Sequence, residues 1–296
     1  LIEHVPPSVE TDAWLADLTR EPAHEAGKPS DDDLQTLRAV FFSQGLSPTA
    51  LNNYLQCSWK YFYVNLLRIP EVENKFMLFG TSIHAALKKY ADERGQGKDI
   101  GAQGLIEHFS YSLDRMPLSV SEVAEMREKG ERALTAWWQE CHETWPAETR
   151  AEIAVTAELP LSGDEVLTIR GALDRIDGSG SNVNVIDYKT GKPKSRNELM
   201  GATKDADGNY YRQLTFYKLL LARTDAPQTM REGIIEFVEP DDKGRIRTEA
   251  FEITDAEVAE LEELIRKSAE EITTLSFWND PCDEADCPWC AYRFGA

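Results

Sequence analysis

The segment Gly171–Gly191, GALDRIDGSGSNVNVIDYKTG, constrains the fold of this chain most, because its pattern predicts two strands joined by a turn rich in Gly and Ser. Successive side chains of a strand point to opposite faces, so Asp187 and Lys189 on the second strand share one face. Asp174 lies on the first strand. The sequence therefore predicts two carboxylates and an amine at the end of a buried hairpin.

Two acids and a lysine in such a place meet the needs of metal-assisted phosphodiester hydrolysis. The acids can hold a hard divalent cation, and the lysine can lie beside the attacking water and the scissile phosphate. The alternative is a surface hairpin with an exposed ion pair, an arrangement that contributes little free energy. The apolar neighbours Val183 and Val185 favour the first interpretation. Asp177 is expected to be a turn residue, because Gly178 follows it.

The charge balance argues against strong unaided binding of nucleic acid, since the net charge is −20, from 32 Lys and Arg against 52 Asp and Glu. The segment Lys189–Arg223 differs, because it holds eight basic residues and three acidic ones. A local cationic groove on an acidic protein is therefore expected. No apolar run is long enough to span a membrane, and the first residues show no secretory pattern, so we expect a cytoplasmic protein.

Residue periodicity predicts an alternation of helices and strands. The predicted helices are 31–44, 47–65, 80–94, 121–144, 209–223 and 255–274, and the predicted strands are 151–159, 165–176, 182–189, 233–238 and 246–253. Because three strands adjoin before a helix intervenes, the sheet should be mixed. The predicted fold class is α/β, with a mixed central sheet flanked by helices and an additional N-terminal helical lobe.

Five cysteines occur without a secretory pattern, and this odd number does not suggest a disulfide scaffold. Cys282, Cys287 and Cys290 lie close together near the end of the sequence, which suggests a metal site. Cys141, in a predicted helix, is expected to be an ordinary buried thiol.

Five segments in order resemble motifs of the RecB-like branch of the PD-(D/E)XK nucleases, and within it the AddB-type nuclease domains that carry an iron–sulfur cluster. These segments are LSPTALNNYLQCSWKYFY (Leu46–Tyr63), FGTSIHAAL (Phe79–Leu87), GALDRID, VIDYKTG and YYRQLTFY (Tyr210–Tyr217). Each is weak alone, whereas five in this order are specific. The similarity spans about residues 46–290 and implies a restriction-endonuclease-like core.

The resemblance implies that Asp174 and Asp187 bind Mg²⁺ or Mn²⁺. His84 would complete or adjoin the metal site, and the backbone carbonyl of Tyr188 would be a further ligand. Lys189 would position the attacking water or stabilise the charge that develops on the phosphate.

Other candidates have an ordinary structural alternative. Gln213 and Tyr217 stand four residues apart on one helix face and could approach the active site together. Gln213 could equally be a solvated helix position, and Tyr217 could belong to the core. His84, on composition alone, would be a half-buried helix residue. Glu158 could support the site from the preceding strand, although such an acid is more often structural.

For the cysteines, the resemblance implies a clasp with one early ligand, Cys57, and three late ones around a [4Fe–4S] cluster, with Zn²⁺ as the alternative. The family usually ends in C-x2-C-x5-C, which would place the last cysteine at position 296, where this sequence has Ala296. Either Cys282 replaces that ligand or the site is altered. The clasp would be structural, tying the last residues to the first helix of the domain.

The implied organisation is an acidic arm at 1–45 and a nuclease domain at 46–296. The latter comprises a helical lobe at 46–120, a catalytic core at 121–253, and a C-terminal helix with the clasp at 254–296. We expect a metal-dependent DNA nuclease that acts on ends or single strands in repair or recombination, near the nucleoid, with a helicase module as a partner in cis or in trans. The alternatives are an inactive DNA-binding subunit and a site-specific endonuclease.

Overall fold

A computed structural model describes residues 27, 29–146 and 148–295 of this protein. Most of the predicted acidic arm at 1–45 thus lies outside the described residues. Two compact units are present: the described residues up to Glu71 together with those from Leu264 form the cysteine unit, and Val72–Glu263 forms the sheet unit. No helix of the described residues is both long and apolar enough to cross a membrane.

The secondary structure follows the predicted alternation of helices and strands. The described α-helices are α1 (Asp31–Gln44), α2 (Pro48–Gln56), α3 (Ser58–Lys60), α4 (Lys75–Gly95), α5 (Gly101–Leu113), α6 (Val120–Cys141), α7 (Arg196–Leu199), α8 (Asn209–Ala222), α9 (Asp255–Thr274) and α10 (Pro288–Phe294). The strands are β1 (Thr149–Pro160), β2 (Val166–Asp177), β3 (Asn182–Lys189), β4 (Thr229–Phe237) and β5 (Thr248–Phe251).

The sheet unit is built on these five strands, which lie in sequence order. Antiparallel pairing joins β1 to β2 and β2 to β3, whereas β3 and β4 pair in parallel and β5 returns antiparallel to β4. The parallel pair is possible because the connection between β3 and β4 contains α8, a helix long enough for a crossover. The predicted mixed sheet is confirmed.

Helices cover both faces of β3. Ile186 and Tyr188 join a core with α4, α5 and α6, whose largest buried side chains include Phe109 and Trp137. On the other face α8 packs closely, because a Cβ at Gly233 of β4 would lie 3.1 Å from the Cβ of Leu214. Since both faces are covered, β3 is buried along nearly its whole length, including its carboxylate.

The predicted helix at 47–65 is interrupted. Ser47 caps α2 by accepting a hydrogen bond from the amide of Ala50, as the Ser-Pro start predicts. At Cys57 the backbone is extended (φ −160°, ψ 120°), and the chain re-enters α3 and then a π-helix, Tyr61–Leu66. Within the cysteine unit, α2 therefore ends just before the thiol of Cys57, and a new helix begins just after it.

Helix α5 was absent from the sequence-based prediction. Two glycines lie in its sequence, GAQGLIEHFSYSL, and glycine is the least favourable residue after proline in a helix. Its N-cap residue, Ile100, makes no side-chain cap hydrogen bond, and Oδ1 of Asp99 accepts one from the amide of Gly101 at 3.1 Å. The helix is stabilised by tertiary packing, because Leu105, Phe109 and Leu113 are fully buried against α4 and α6.

Candidate active site

The carboxylate of Asp174 lies where β2 and β3 separate. The pairing of these strands begins at Asp177 and Asn184 and ends at Arg175 and Ile186. Two residues beyond Ile186, the amide of Tyr188 donates a hydrogen bond of 2.8 Å to Oδ2 of Asp174. This hydrogen bond fixes the orientation of the carboxylate at the end of the ladder.

Asp187 is almost completely buried, with 1% of its surface exposed, and lies in an ion pair. Its Oδ2 is 2.6 Å from Nζ of Lys189, and the hydroxyl of Tyr217 donates to its Oδ1 at 3.2 Å. Burial raises the pKa of Asp187 above its ordinary value, while the Lys189 ammonium acts in the opposite direction.

Helix α8 supplies two further members of this arrangement. Nζ of Lys189 donates to Oε1 of Gln213 at 2.8 Å, and Nε2 of Gln213 donates to the hydroxyl of Tyr217 at 2.6 Å. With the two contacts of Asp187, these bonds close a ring of four side chains. Burial, and then the nearby carboxylates, raise the pKa of Tyr217 well above its ordinary value, so its hydroxyl remains a donor.

His84 of α4 faces two carboxylates. Its Nδ1 lies 3.3 Å from Oδ1 of Asp174 and 3.8 Å from Oε1 of Glu152. Burial by itself lowers the pKa of His84, but the hydrogen-bonded carboxylates of Asp174 and Glu152 outweigh it and raise the pKa to about 10. Gly80, one turn earlier, permits close approach, because a Cβ there would lie 3.0 Å from Oγ1 of Thr190.

Glu152 was missed by the sequence analysis, which considered Glu158 on the same strand. Glu158 is exposed to solvent. Glu152 lies opposite Asp174, between the pairs Ala151–Arg175 and Ile153–Leu173. Its φ of +51° is one of the few positive values outside glycine in the described residues. The available sequence signal was the register of the predicted hairpin, which aligns these two acids.

The residues of this site fit a hard divalent cation. One nitrogen of His84 and one oxygen each of Glu152 and Asp174 lie within 4.8 Å of one another, and oxygen-rich sets of this kind suit Mg²⁺ or Mn²⁺. Like charges directly opposite on neighbouring strands repel each other, and either protonated His84 or a bound cation can offset this repulsion. Asp187 lies beyond this group, engaged by Lys189 and Tyr217.

The group formed by His84, Glu152 and Asp174 opens to solvent through a groove of about 880 Å³. The groove is lined by residues of α4, including Phe76, Met77 and His84, by Glu152 and Asp174, and by Thr190 and Gly191 at the end of β3. Phe76 and Met77 are large apolar side chains with about half of their surface exposed, 55% and 48%. A polymeric substrate can therefore reach the carboxylates from outside.

Asp177 and Tyr188 lie near these acids on β2 and β3. The expectation that Asp177 lies in a turn is wrong: it is the last residue of β2, paired with Asn184, and its Oδ2 is 3.0 Å from Nη2 of Arg175. The side chain of Tyr188 is buried and accepts a hydrogen bond from Arg175, while its amide contacts Asp174. The role of the Tyr188 carbonyl as a metal ligand stays a prediction.

Four of the cysteines converge within the cysteine unit. Sγ of Cys57 is 3.7 Å from that of Cys290 and 3.6 Å from that of Cys287, and Sγ of Cys282 is 3.5 Å from that of Cys290. This set can hold a metal ion. Cys141 is a buried thiol of α6, as predicted, and burial raises its pKa to about 12.

Comparison with known proteins gives one family and a small set of related folds. Residues 45–294 match the family model of the PD-(D/E)XK nuclease superfamily. A crystal structure of a candidate exonuclease from Eubacterium rectale aligns with a TM-score of 0.50 at 12% identity, covering 90% of this chain and 94% of the other.

The protein SSO0001 aligns at 16% identity over 72% of this chain and 96% of its own, with a TM-score of 0.32. No curated protein matches the sequence. The Eubacterium structure shows a shared restriction-endonuclease-like fold, and the family match covers most of the chain. On this evidence the chain belongs to the PD-(D/E)XK nuclease superfamily.

Proposed function

We propose that this protein is a Mg²⁺- or Mn²⁺-dependent deoxyribonuclease that hydrolyses phosphodiester bonds in single strands or at DNA ends. The observation that carries the proposal is the pairing of two features at one strand end: the His84–Glu152–Asp174 group and the buried Asp187–Lys189 ion pair. The open groove beside them gives a polynucleotide access.

The residues of the site have different roles. His84, Glu152 and Asp174 would hold the cation, with Asp187 close behind them, and His84 would release its proton on binding because only the neutral imidazole is a ligand. When bound, Mg²⁺ or Mn²⁺ lowers the pKa of a water molecule and neutralises phosphate charge. The ammonium of Lys189 donates to the oxygen on which negative charge develops, and the acceptors on Asp187 and Gln213 fix its position beforehand.

The motif resemblance supports a proposal for the wider role. We place the enzyme in DNA repair or recombination, with a helicase module as a partner in cis or in trans. The net charge of −20 supports such a partner, because a strongly acidic protein holds nucleic acid weakly without help.

The test uses labelled single-stranded DNA, Mn²⁺ and three proteins. The unmodified chain should degrade the strand, Lys189→Ala should not, and Lys243→Ala, which removes an exposed lysine from a turn, should match the unmodified chain. Equal degradation by all three would reveal a contaminating nuclease. No degradation by any of them, with single-stranded DNA still bound, would favour the inactive DNA-binding subunit.

The mode of cleavage needs its own substrates. A circular single strand has no end, so resistance of the circle with loss of the linear strand would establish action from ends. Progressive shortening of an end-labelled strand agrees with that mode. Discrete bands from a long duplex would favour the site-specific endonuclease instead.

A further inference from the structure

The ring of Tyr210, in the first turn of α8, lies close to two ammonium groups. Nζ of Lys189 is 4.3 Å from the ring centroid, and Nζ of Lys194, in the loop after β3, is 4.7 Å from it. A cation held over an aromatic face is attracted by the ring, most strongly where water is partly excluded. Tyr210 therefore fixes Lys194 near the lysine of the candidate active site.

Lys194 differs from Lys189 in forming no close ion pair. The nearby acid is Glu198, whose pKa is lowered first by its hydrogen bonds to Ser195 and then by the charge of Lys194. No carboxylate oxygen of the described residues lies within the 4.0 Å ion-pair distance of Nζ of Lys194, whereas Lys75, Lys88, Lys129 and Lys218 all form such pairs. In a chain with 52 acids against 32 bases, a half-buried lysine with no acid at ion-pair distance is notable. Its positive charge is available to an anion.

We propose that Lys194 and Tyr210 form a phosphate-binding subsite for the DNA backbone next to the scissile bond. The inference rests on the proposed function, in which Lys189 faces the scissile phosphate. Both ammonium groups contact one ring, so neighbouring phosphates of a single strand can reach both. The subsite binds substrate and takes no part in the chemistry.

The experiment compares Lys194→Gln with Lys192→Gln, a matched control two residues away whose side chain is exposed. Binding of a fluorescent single-stranded oligonucleotide is measured in EDTA over a range of KCl concentrations. Loss of one phosphate contact should reduce the slope of log Kd against log salt by about 0.7 in Lys194→Gln. With Mn²⁺, the same variant should show a raised KM and a nearly unchanged kcat. Lys192→Gln should leave the slope and KM unchanged.

Equal salt slopes for Lys194→Gln and the unmodified chain would overturn the subsite. If the unmodified chain still cleaves DNA, the proposed function is unaffected by that result. Absence of both binding and cleavage in the unmodified chain would overturn both. Tyr210→Phe should retain the slope and Tyr210→Leu should reduce it, because only the former keeps an aromatic face for Lys194.

A second inference concerns the occupant of the four-cysteine site. In a tetrahedral site with zinc–sulfur bonds of about 2.3 Å, the thiolates lie about 3.8 Å apart. Three sulfur pairs here are separated by 3.5, 3.6 and 3.7 Å, and all four sulfurs lie within 4.8 Å of one another. These distances match a single ion.

An iron–sulfur cluster requires a wider site. Each cysteine thiolate of a [4Fe–4S] cluster binds a different iron. The distance between two cysteine sulfurs is therefore longer than the value of about 3.8 Å for a single zinc ion, by the distance between two irons. In a [2Fe–2S] cluster each iron binds one pair of thiolates, so the two pairs are likewise separated by the distance between the irons. The close approach of Cys57, Cys282, Cys287 and Cys290 therefore does not fit the cluster that the motif resemblance implies.

We infer that these cysteines hold one structural Zn²⁺, with Cys282 as its fourth ligand. The protein purified in air should be colourless and contain one zinc per chain by elemental analysis, without iron. Cys282→Ser should lose zinc, whereas Cys141→Ser, which alters a buried thiol of α6, should retain it. If Cys282→Ser fails to fold, replacement of zinc by Co²⁺ in the unmodified protein should give the absorption of tetrahedral cobalt thiolate. A brown protein with about four irons, or one without metal, would overturn the inference.

Discussion

The side-chain oxygen of Gln213 accepts a hydrogen bond from Nζ of Lys189 at 2.8 Å, which makes a helix amide one of the two groups that orient the lysine. The other is the carboxylate of Asp187. Since Gln213 also donates to Tyr217, and Tyr217 to Asp187, removal of any member leaves a neighbour with an unmatched donor or acceptor.

We expect Tyr217→Phe to lower kcat by about tenfold, because one hydrogen bond to a buried carboxylate contributes about 1.5 kcal/mol or more. Gln213→Leu should lower kcat further, since it removes the acceptor of Lys189 as well. Steady-state kinetics on a labelled single strand measure both effects.

The matched control is Tyr211→Phe on the same helix, whose hydroxyl donates to Glu257 at 2.5 Å and faces away from the ring. It should affect thermal stability and leave kcat unchanged. Equal kcat for Tyr217→Phe and Tyr211→Phe would contradict an orienting role for the ring.

Much of this arrangement could be predicted from the sequence. The alternation of β3 places Asp187 and Lys189 on one face, and the spacing of Gln213 and Tyr217 places both on one face of α8. These are local regularities of one strand and one helix, so a single sequence contains them. His84 required the motif order, because a lone histidine in a helix has no local signature.

Glu152 and α5 could not be predicted in this way. The register of the predicted hairpin aligns Glu152 with Asp174, but this is a pairing between strands and not a local regularity, and the backbone φ of +51° is not a property of the neighbouring residues in sequence. Helix α5 has weak intrinsic propensity and forms because Phe109 and its neighbours are buried by other helices. Both outcomes are set by tertiary contacts.

Glu152→Gln should raise the Mn²⁺ concentration required for half-maximal activity by about tenfold, because it removes one anionic ligand while preserving size. Glu158→Gln, an exposed acid on the same strand, should leave that concentration unchanged. Titration of activity with Mn²⁺ measures the difference, and coincident titration curves for the two variants would exclude Glu152 from the metal site.

The backbone of Glu152 allows a second measurement. Glycine adopts positive φ without the steric cost borne by other residues, so Glu152→Gly should relieve strain of about 1 kcal/mol. Glu158→Gly, without such strain to relieve, should lower the melting temperature. We therefore expect Glu152→Gly to have the higher melting temperature of the two and the lower activity. The reverse order of melting temperatures would contradict strain at this position.

Arg175, next to Asp174 in sequence, is a buried cation whose removal should destabilise the sheet unit. Its guanidinium lies 3.0 Å from Asp177 and 3.9 Å from Glu236. Arg175→Met leaves these carboxylates without their cation, a loss that costs about 3–5 kcal/mol for buried pairs. Arg150→Met, an exposed site on β1, should change the free energy of unfolding little. Urea denaturation measures both.

The effect of Arg175→Met should depend on pH. Burial raises the pKa of Glu236, and loss of the arginine raises it further. An acid whose pKa is raised by folding stabilises the folded state when protonated, and that contribution is lost as pH rises through the raised value. Arg175→Met should therefore approach the stability of Arg175→Met/Glu236→Gln as the pH falls. A constant difference between them would exclude Glu236 as the uncompensated charge.

Gly130 in the middle of α6 tests the packing of the helices over β3. A Cβ at this position would lie 2.2 Å from Cζ of Phe109, whose side chain is fully buried. Gly130→Ala should lower the melting temperature, because overpacking costs about 1–3 kcal/mol and exceeds the helix-propensity gain of about 1 kcal/mol. Gly95→Ala, at the end of α4 with no atom within 4 Å of the new Cβ, should keep that gain and raise the melting temperature.

Phe109→Leu in the Gly130→Ala background should restore part of the loss, although Phe109→Leu alone is destabilising. This non-additivity is expected of two residues that compete for the same volume, whereas independent sites would add. If the destabilisation of the double mutant equals the sum of the two single effects, α5 and α6 separate to accept the methyl group. The close packing of Phe109 on Gly130 would then not be the contact that holds α5 in place.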